Sequence, residues 1–268
     1  MTDNSNIAQG AASSGFAIYP SLRDKVVFVT GGAAGIGAEI VRQFAHQGSR
    51  VAFVDVQDEA GASLAAAIRD EGAVEPRYIS CDITDIDALR QVMDIVGAEM
   101  GWISVLVNNA ASDRRFKVDE ITGEDWDWSM KLNLKPQFFA AQKAAEHMKM
   151  LGGGSIINMS SICWMRGKKD MNPYIAAKAG IAGMTRSLAS NYGEFNIRVN
   201  AIAPGAVITE RQIRDVFKNE AAVDAVVDQQ CLKSRLLPGD VARLVLFMAS
   251  DDSRMITRQI PVIDAGLL

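Results

Sequence analysis

The stretch KVVFVTGGAAGIGAEIVRQFAHQG, Lys25 to Gly48, decides the fold class. Val26 to Val29 form a short apolar run, Gly31, Gly35 and Gly37 break it, and Ile36, Ile40, Val41 and Phe44 then recur at helical spacing. The order is strand, turn, helix. Glycines at the turn let the backbone bend tightly and approach a ligand, and the free N–H groups that open the helix favour a phosphate. A pyrophosphate suits this turn.

Working outward, the run RVAFVD ends on Asp55, about twenty residues after the glycines, where a carboxylate can take the ribose hydroxyls of a dinucleotide. An acid at that point repels a 2′-phosphate, and neither Arg nor Lys lies between Gly31 and Gly37, so NAD is expected rather than NADP. Further apolar runs at Ile103 to Val107, Ser155 to Met159, Ile197 to Ala203 and Gln259 to Asp264, with one ending near Cys81, bring the expected strands to seven. Helical patterns separate them. Such alternation implies an α/β fold with a parallel sheet, helices on both faces, and ligands at the carboxyl ends of the strands.

Tyr174 and Lys178 stand four residues apart in NPYIAAKAGIAGM, and Ser161 lies upstream. Positions i and i+4 share a helix face, so a phenol and an ammonium can share one pocket. A tyrosine with a pKa near 10 is a poor base at neutral pH, and a neighbouring cation favours the phenolate. Lowering it by about two units takes only about 2.7 kcal/mol. On this reading Tyr174 accepts a proton from an alcohol.

These motifs, in this order, resemble the short-chain dehydrogenase/reductase family from about residue 20 onward. The resemblance implies a doubly wound Rossmann fold with a seven-stranded parallel sheet. It matches Thr30 to Gly37, with Ile36, to the cofactor loop, and Cys81, Asp82 and Ile83 to the adenine-contacting segment. Asn108, Asn109, Ala110 and Ala111 match the element after the fourth strand. Pro204, Gly205, Val207 and Thr209 match the segment holding the nicotinamide carboxamide. Asn133, Ser161, Tyr174 and Lys178 match the catalytic four: Tyr174 as base, Ser161 on the substrate oxygen, Lys178 on the nicotinamide ribose, Asn133 keeping a relay water. Ala111, Arg258 and Ala265 stand where the family commonly has glycine.

The segments AIYPSL, SDRRFKVDEITGEDWD, SSICWMRG and QCLKSRLLPGDVARLVLFMASDD resemble those of bacterial sugar 1-dehydrogenases, the D-xylose type above all. That resemblance implies oxidation of an aldose at C1 to a lactone with NAD. Asp113 and Trp164 are the expected substrate contacts, with Arg114 and Met165 nearby. The alternatives are a reductase or dehydrogenase of another carbonyl or secondary alcohol, such as a 3-oxoacyl reductase, and a dinucleotide-binding protein without catalysis. The intact catalytic four argue against the last.

A chain of 268 residues, 49% hydrophobic and 22% charged, suits one catalytic domain, expected over residues 21–268 behind a mobile arm of residues 1–20. A net charge of −4 gives no basic footprint for nucleic acid, and no apolar run nears the roughly twenty residues that cross a bilayer. Cys81, Cys163 and Cys231 lack any CxxC spacing, so neither a disulfide framework nor a metal site is expected. A cytoplasmic location follows from the missing signal-peptide pattern, and a homotetramer is implied by the resemblance. Finally, Pro136 should bend a helix through WDWSMKLNLKPQFF and free the Asn133 carbonyl for the relay water.

Overall fold

Apolar strands, the central ones buried on both faces, build the parallel sheet that the alternation predicts. The computed structural model describes residues 15–268. The strands are β1 (Val26–Thr30), β2 (Arg50–Asp55), β3 (Arg77–Ser80), β4 (Val105–Asn108), β5 (Gly154–Met159), β6 (Ile197–Pro204) and β7 (Val262–Ile263). The helices are α1 (Gly35–His46), α2 (Asp58–Asp70), α3 (Ile86–Met100), α4 (Gly123–Asn133), α5 (Lys135–Leu151), α6 (Cys163–Arg166), α7 (Asn172–Tyr192), α8 (Glu210–Gln212), α9 (Glu220–Val227) and α10 (Pro238–Ala249).

All seven strands are parallel, in the order β3-β2-β1-β4-β5-β6-β7. Successive strand residues point to opposite faces, which yields two cores. Val27, Val29, Val51 and Phe53 pack with Ile40 and Phe44 of α1 and with Val245 of α10. Val26, Phe28, Ala52 and Val54 pack with Leu89 and Met93 of α3 and with Ala141 and Met148 of α5. Each fully buried phenylalanine contributes about 1.5–3 kcal/mol. The chain winds outward from β1 through β2 to β3, then returns to β4 on the other side of β1. Their diverging loops open a crevice at the carboxyl edge.

Three local outcomes refine the sequence reading. The last strand is shorter than Gln259 to Asp264, because Pro261 has no N–H and Arg258 sits in the left-handed region at φ 67°. Gln259 and Pro261 still accept from Ala201 and Ala203, so the segment runs beside β6. Near Pro136 the helix breaks rather than bends: α4 stops at Asn133, and Leu134 turns out at φ −119°, ψ −54°. The Asn133 carbonyl therefore lies at the break between α4 and α5. Of the expected arm, residues 1–14 lie outside the described residues. The remainder is tied down, with the Tyr19 N–H donating to Gln47 Oε1 at 2.7 Å and the Phe16 ring 4.1 Å from the Arg243 guanidinium.

Candidate active site

The glycine turn is packed too closely for any other residue. A Cβ on Gly37 would fall 1.9 Å from the Gly31 carbonyl oxygen, and one on Gly31 would fall 2.7 Å from the Ala110 Cα. Gly31 also needs φ 66°. No side chain caps the start of α1, so its first N–H groups point free into the crevice. Across the switch point, Thr30 Oγ1 accepts from the N–H groups of Asn109 and Ala110 at 3.0 and 3.2 Å. Asn109 Nδ2 donates back to the carbonyls of Gly31 and Thr30 at 2.8 and 3.1 Å. The Asn109 amide therefore holds the turn, a role the sequence did not disclose.

Asp55 ends β2 with both carboxylate oxygens engaged. Oδ2 accepts from the Ala33 N–H at 3.0 Å, and Oδ1 accepts from the Val56 N–H at 2.8 Å and from Gln57 Nε2 at 3.1 Å. Asp82 follows β3, and its Oδ1 accepts from the Thr84 N–H at 2.8 Å. The glycine turn, the uncapped helix start and the carboxylate one strand over fit the pyrophosphate and ribose of a dinucleotide. The fit rests on the space a Cβ would fill and on the donors left free.

At the other end of the crevice, α7 carries Tyr174 and Lys178 on one face. The Lys178 ammonium is buried, donates to the Met159 carbonyl at 2.6 Å, and lies 5.5 Å from the Tyr174 ring centroid. Ser160 Oγ donates to the Lys178 carbonyl at 2.9 Å, so the end of β5 grips the helix twice. The neighbouring Ser161 Oγ accepts from the Cys163 N–H at 3.1 Å. Burial pulls Lys178 down to about 7, against opposing pulls from Cys163 and Asp113. Burial likewise pushes Tyr174 well above the ordinary tyrosine value, helped by Cys163 and Asp113, while Ser161 and Arg211 pull it back. Burial therefore opposes the pull that a neighbouring cation offers the phenolate. The ammonium is aimed at Met159 and is itself disfavoured by burial, so desolvation of the phenol dominates.

One cleft of about 550 Å³ joins the two ends. Gly31, Gly35, Ile36, Gly37, Asp55, Asp82, Ile83, Asn109, Ala110, Asp113, Ser161, Tyr174, Lys178, Pro204, Val207 and Thr209 all line it. Asn133 and Trp164 do not. Asn133 is wholly buried behind the cleft wall; its Oδ1 accepts from the Ser112 N–H at 2.8 Å and its Nδ2 donates to Ser129 Oγ at 3.1 Å. Trp164 stands on the short α6, and its Nε1 donates to Ser160 Oγ at 3.2 Å.

Asp113 reaches the cleft with its carboxylate already engaged, by Arg211 at 2.6 Å and Gln212 at 2.9 Å. Burial pushes its pKa up, but those two partners outweigh burial and hold it below the usual range. Arg114 stacks away on Phe116 and Trp128, and Met165 joins a small apolar cluster. Lining residues that the sequence reading passed over include Arg115, Arg166, Lys168, Arg211 and Gln212. The run Thr209-Glu210-Arg211-Gln212, directly after the carboxamide segment, was the available signal for the last two.

Among the described residues no helix is long and apolar enough to cross a membrane, and no three His, Cys, Asp or Glu side chains gather as metal ligands. A family model described as "Enoyl-(Acyl carrier protein) reductase" matches residues 31–268. The chain is 44% identical to "Probable galactose dehydrogenase GalD" of Rhizobium meliloti (strain 1021), over 93% of this chain and 97% of that one. It is also 44% identical to a D-xylose 1-dehydrogenase of Caulobacter vibrioides (strain NA1000 / CB15N), over 93% and 98%. A crystal structure titled "putative short-chain alcohol dehydrogenase from Sinorhizobium meliloti 1021" superposes with a TM-score of 0.86 at 30% identity, over 92% of this chain and 98% of that one. With the crevice and the Tyr174–Lys178 face in place, the chain belongs to the short-chain dehydrogenase/reductase family and is a nicotinamide-dependent oxidoreductase acting on CH–OH groups.

Proposed function

We propose that this protein is an NAD-dependent aldose 1-dehydrogenase, converting the C1 hydroxyl form of a sugar to its lactone. The observation that carries the reading is one cleft with Asp55 at one end and Ser161, Tyr174 and Lys178 at the other. Its likeness to sugar dehydrogenases supplies the substrate class. Asp55 supports NAD over NADP, because its carboxylate is held by neutral donors and, among the described residues, no cation adjoins it in the cleft lining.

When bound, NAD supplies the hydride acceptor. Gly31, Gly35 and Gly37 hold its pyrophosphate, Asp55 its adenosine ribose, Asp82 and Ile83 its adenine, and Pro204, Val207 and Thr209 its carboxamide end. Tyr174 Oη takes the proton of the C1 hydroxyl while Ser161 Oγ donates to the same oxygen. Lys178 holds the second ribose and lends positive charge to the phenolate. The Asn133 carbonyl, at the helix break, is the acceptor for a water that carries the proton outward. Residues 21–268 act as one catalytic domain in the cytoplasm. Exposed Trp126, Trp128 and Phe138 on α4 and α5 support assembly into a homotetramer.

The test is NADH formation from a panel of aldoses, simple secondary alcohols and 3-oxoacyl thioesters, each with NAD(H) and NADP(H). Oxidation of aldoses with NAD is the expected result. Activity confined to NADPH and an acyl ketone overturns the reading in favour of a 3-oxoacyl reductase.

A further inference from the structure

Besides the catalytic-face Lys178, three cations line the cleft without a carboxylate partner among the described residues: Arg115 in the loop after β4, and Arg166 and Lys168 around the end of α6. The neighbouring acids are engaged elsewhere. Asp113 is held by Arg211 and Gln212, and Asp170 lies 4.0 Å from Lys169. The two loops are stitched together by the Phe116 N–H, which donates to the Asp170 carbonyl at 2.9 Å. Arg115 and the pair Arg166 and Lys168 are thereby held on adjoining loops, exposed where they line the cleft. Like charges gathered in a cleft without counter-charges raise the local positive potential and draw an anion.

The position of the three restricts what that anion is. The adenosine end of the cleft carries Asp55 and Asp82 and none of these cations, and the pyrophosphate has the glycine turn. Arg115 follows β4 and Arg166 and Lys168 follow β5, neighbouring strands on the Tyr174 side of the switch point, whereas Asp55 and Asp82 follow β2 and β3. An aldose presenting C1 to Tyr174 extends its opposite end toward the three cations. Building on the aldose reading above, we propose that the preferred substrate is a sugar with an anionic group, carboxylate or phosphate, at the end remote from C1, received by Arg115, Arg166 and Lys168. Guanidinium groups suit either anion through paired N–H donors.

The experiment compares kcat/KM with NAD for D-galacturonate, D-glucuronate and D-glucose 6-phosphate against D-galactose and D-glucose, at low and high salt. The anionic sugar is expected to exceed its neutral counterpart by at least about tenfold, an advantage that salt reduces. Uronate against 6-phosphate tells carboxylate from phosphate. In the R115Q/R166Q/K168Q variant the advantage collapses, mainly through KM; if that variant does not fold, the salt dependence of the native enzyme decides. Equal or better oxidation of the neutral hexoses overturns this inference and leaves the aldose reading standing. Oxidation of other alcohols but of no sugar overturns the aldose reading, and this inference with it.

Discussion

Lys178 Nζ donates to the carbonyl of Met159 at 2.6 Å, which fixes a buried ammonium 5.5 Å from the Tyr174 ring. The bond orients the cation, but it does not offset the cost of burying it. Replacing Lys178 with Met fills similar space without the charge. The variant is expected to lose turnover while its Tm without nucleotide rises by roughly 5 °C. Differential scanning calorimetry checks this, and a lower Tm would show that the bond to Met159 outweighs the burial cost.

The same group makes stability depend on pH in a defined direction. Lys178 drops from 10.5 to about 7 on folding. Below about pH 7 the folded and unfolded chains both carry the charge, and the burial penalty is fully present. Between there and 10.5 the unfolded chain binds more protons, so the Lys178 contribution to stability rises with pH. The native protein should gain stability relative to the Lys178→Met variant across that window in denaturant titrations.

Tyr174 is raised by burial, so the phenolate that accepts a proton becomes more populated as pH increases. Alcohol oxidation should therefore climb through the alkaline range, and the reverse reduction should fall. Tyr174→Phe keeps the ring, removes the proton acceptor and should lower kcat by at least about a thousandfold with little change in NADH binding, read by fluorescence quenching. Retained turnover would remove Tyr174 from the mechanism.

Asp55 repels a 2′-phosphate and organises Ala33, Val56 and Gln57. Asp55→Ser should cut the preference for NAD over NADP at least about tenfold in kcat/KM, and cost about 1–3 kcal/mol of stability for the donors left unpaired.

Trp164→Phe tests whether the indole is a sugar wall or a brace. Its Nε1 is spent on Ser160, which itself lines the cleft. The variant should leave KM for the sugar within about twofold and lose about 0.5–1.5 kcal/mol of stability. A large rise in KM would restore Trp164 to the substrate site.

The strand-turn-helix at Val26 to His46 was legible because its signals are local: apolar run, glycines and helical spacing follow one another directly. The same holds for Tyr174 and Lys178, which share a helix turn. The surroundings of Trp164 and Arg114 were not legible, because the facing of a side chain in a short turn or loop depends on tertiary packing. Arg115, one residue on, reaches the cleft instead. Arg211 and Gln212 escaped notice because their partner Asp113 lies 98 and 99 residues away in the chain. The burial of Tyr174 was hidden for a related reason: spacing reveals a neighbouring cation, whereas burial emerges only from the assembled fold.

The Thr30 hydroxyl receives two N–H groups from the far side of the switch point. Its consequence is thermodynamic. Both walls of the crevice are locked together before any nucleotide arrives, so little ordering entropy is spent on binding, and adenosine diphosphate alone should bind with modest enthalpy–entropy compensation. Loosening this seat with Thr30→Val would weaken the grip on every nucleotide alike and leave the choice among sugars unaltered.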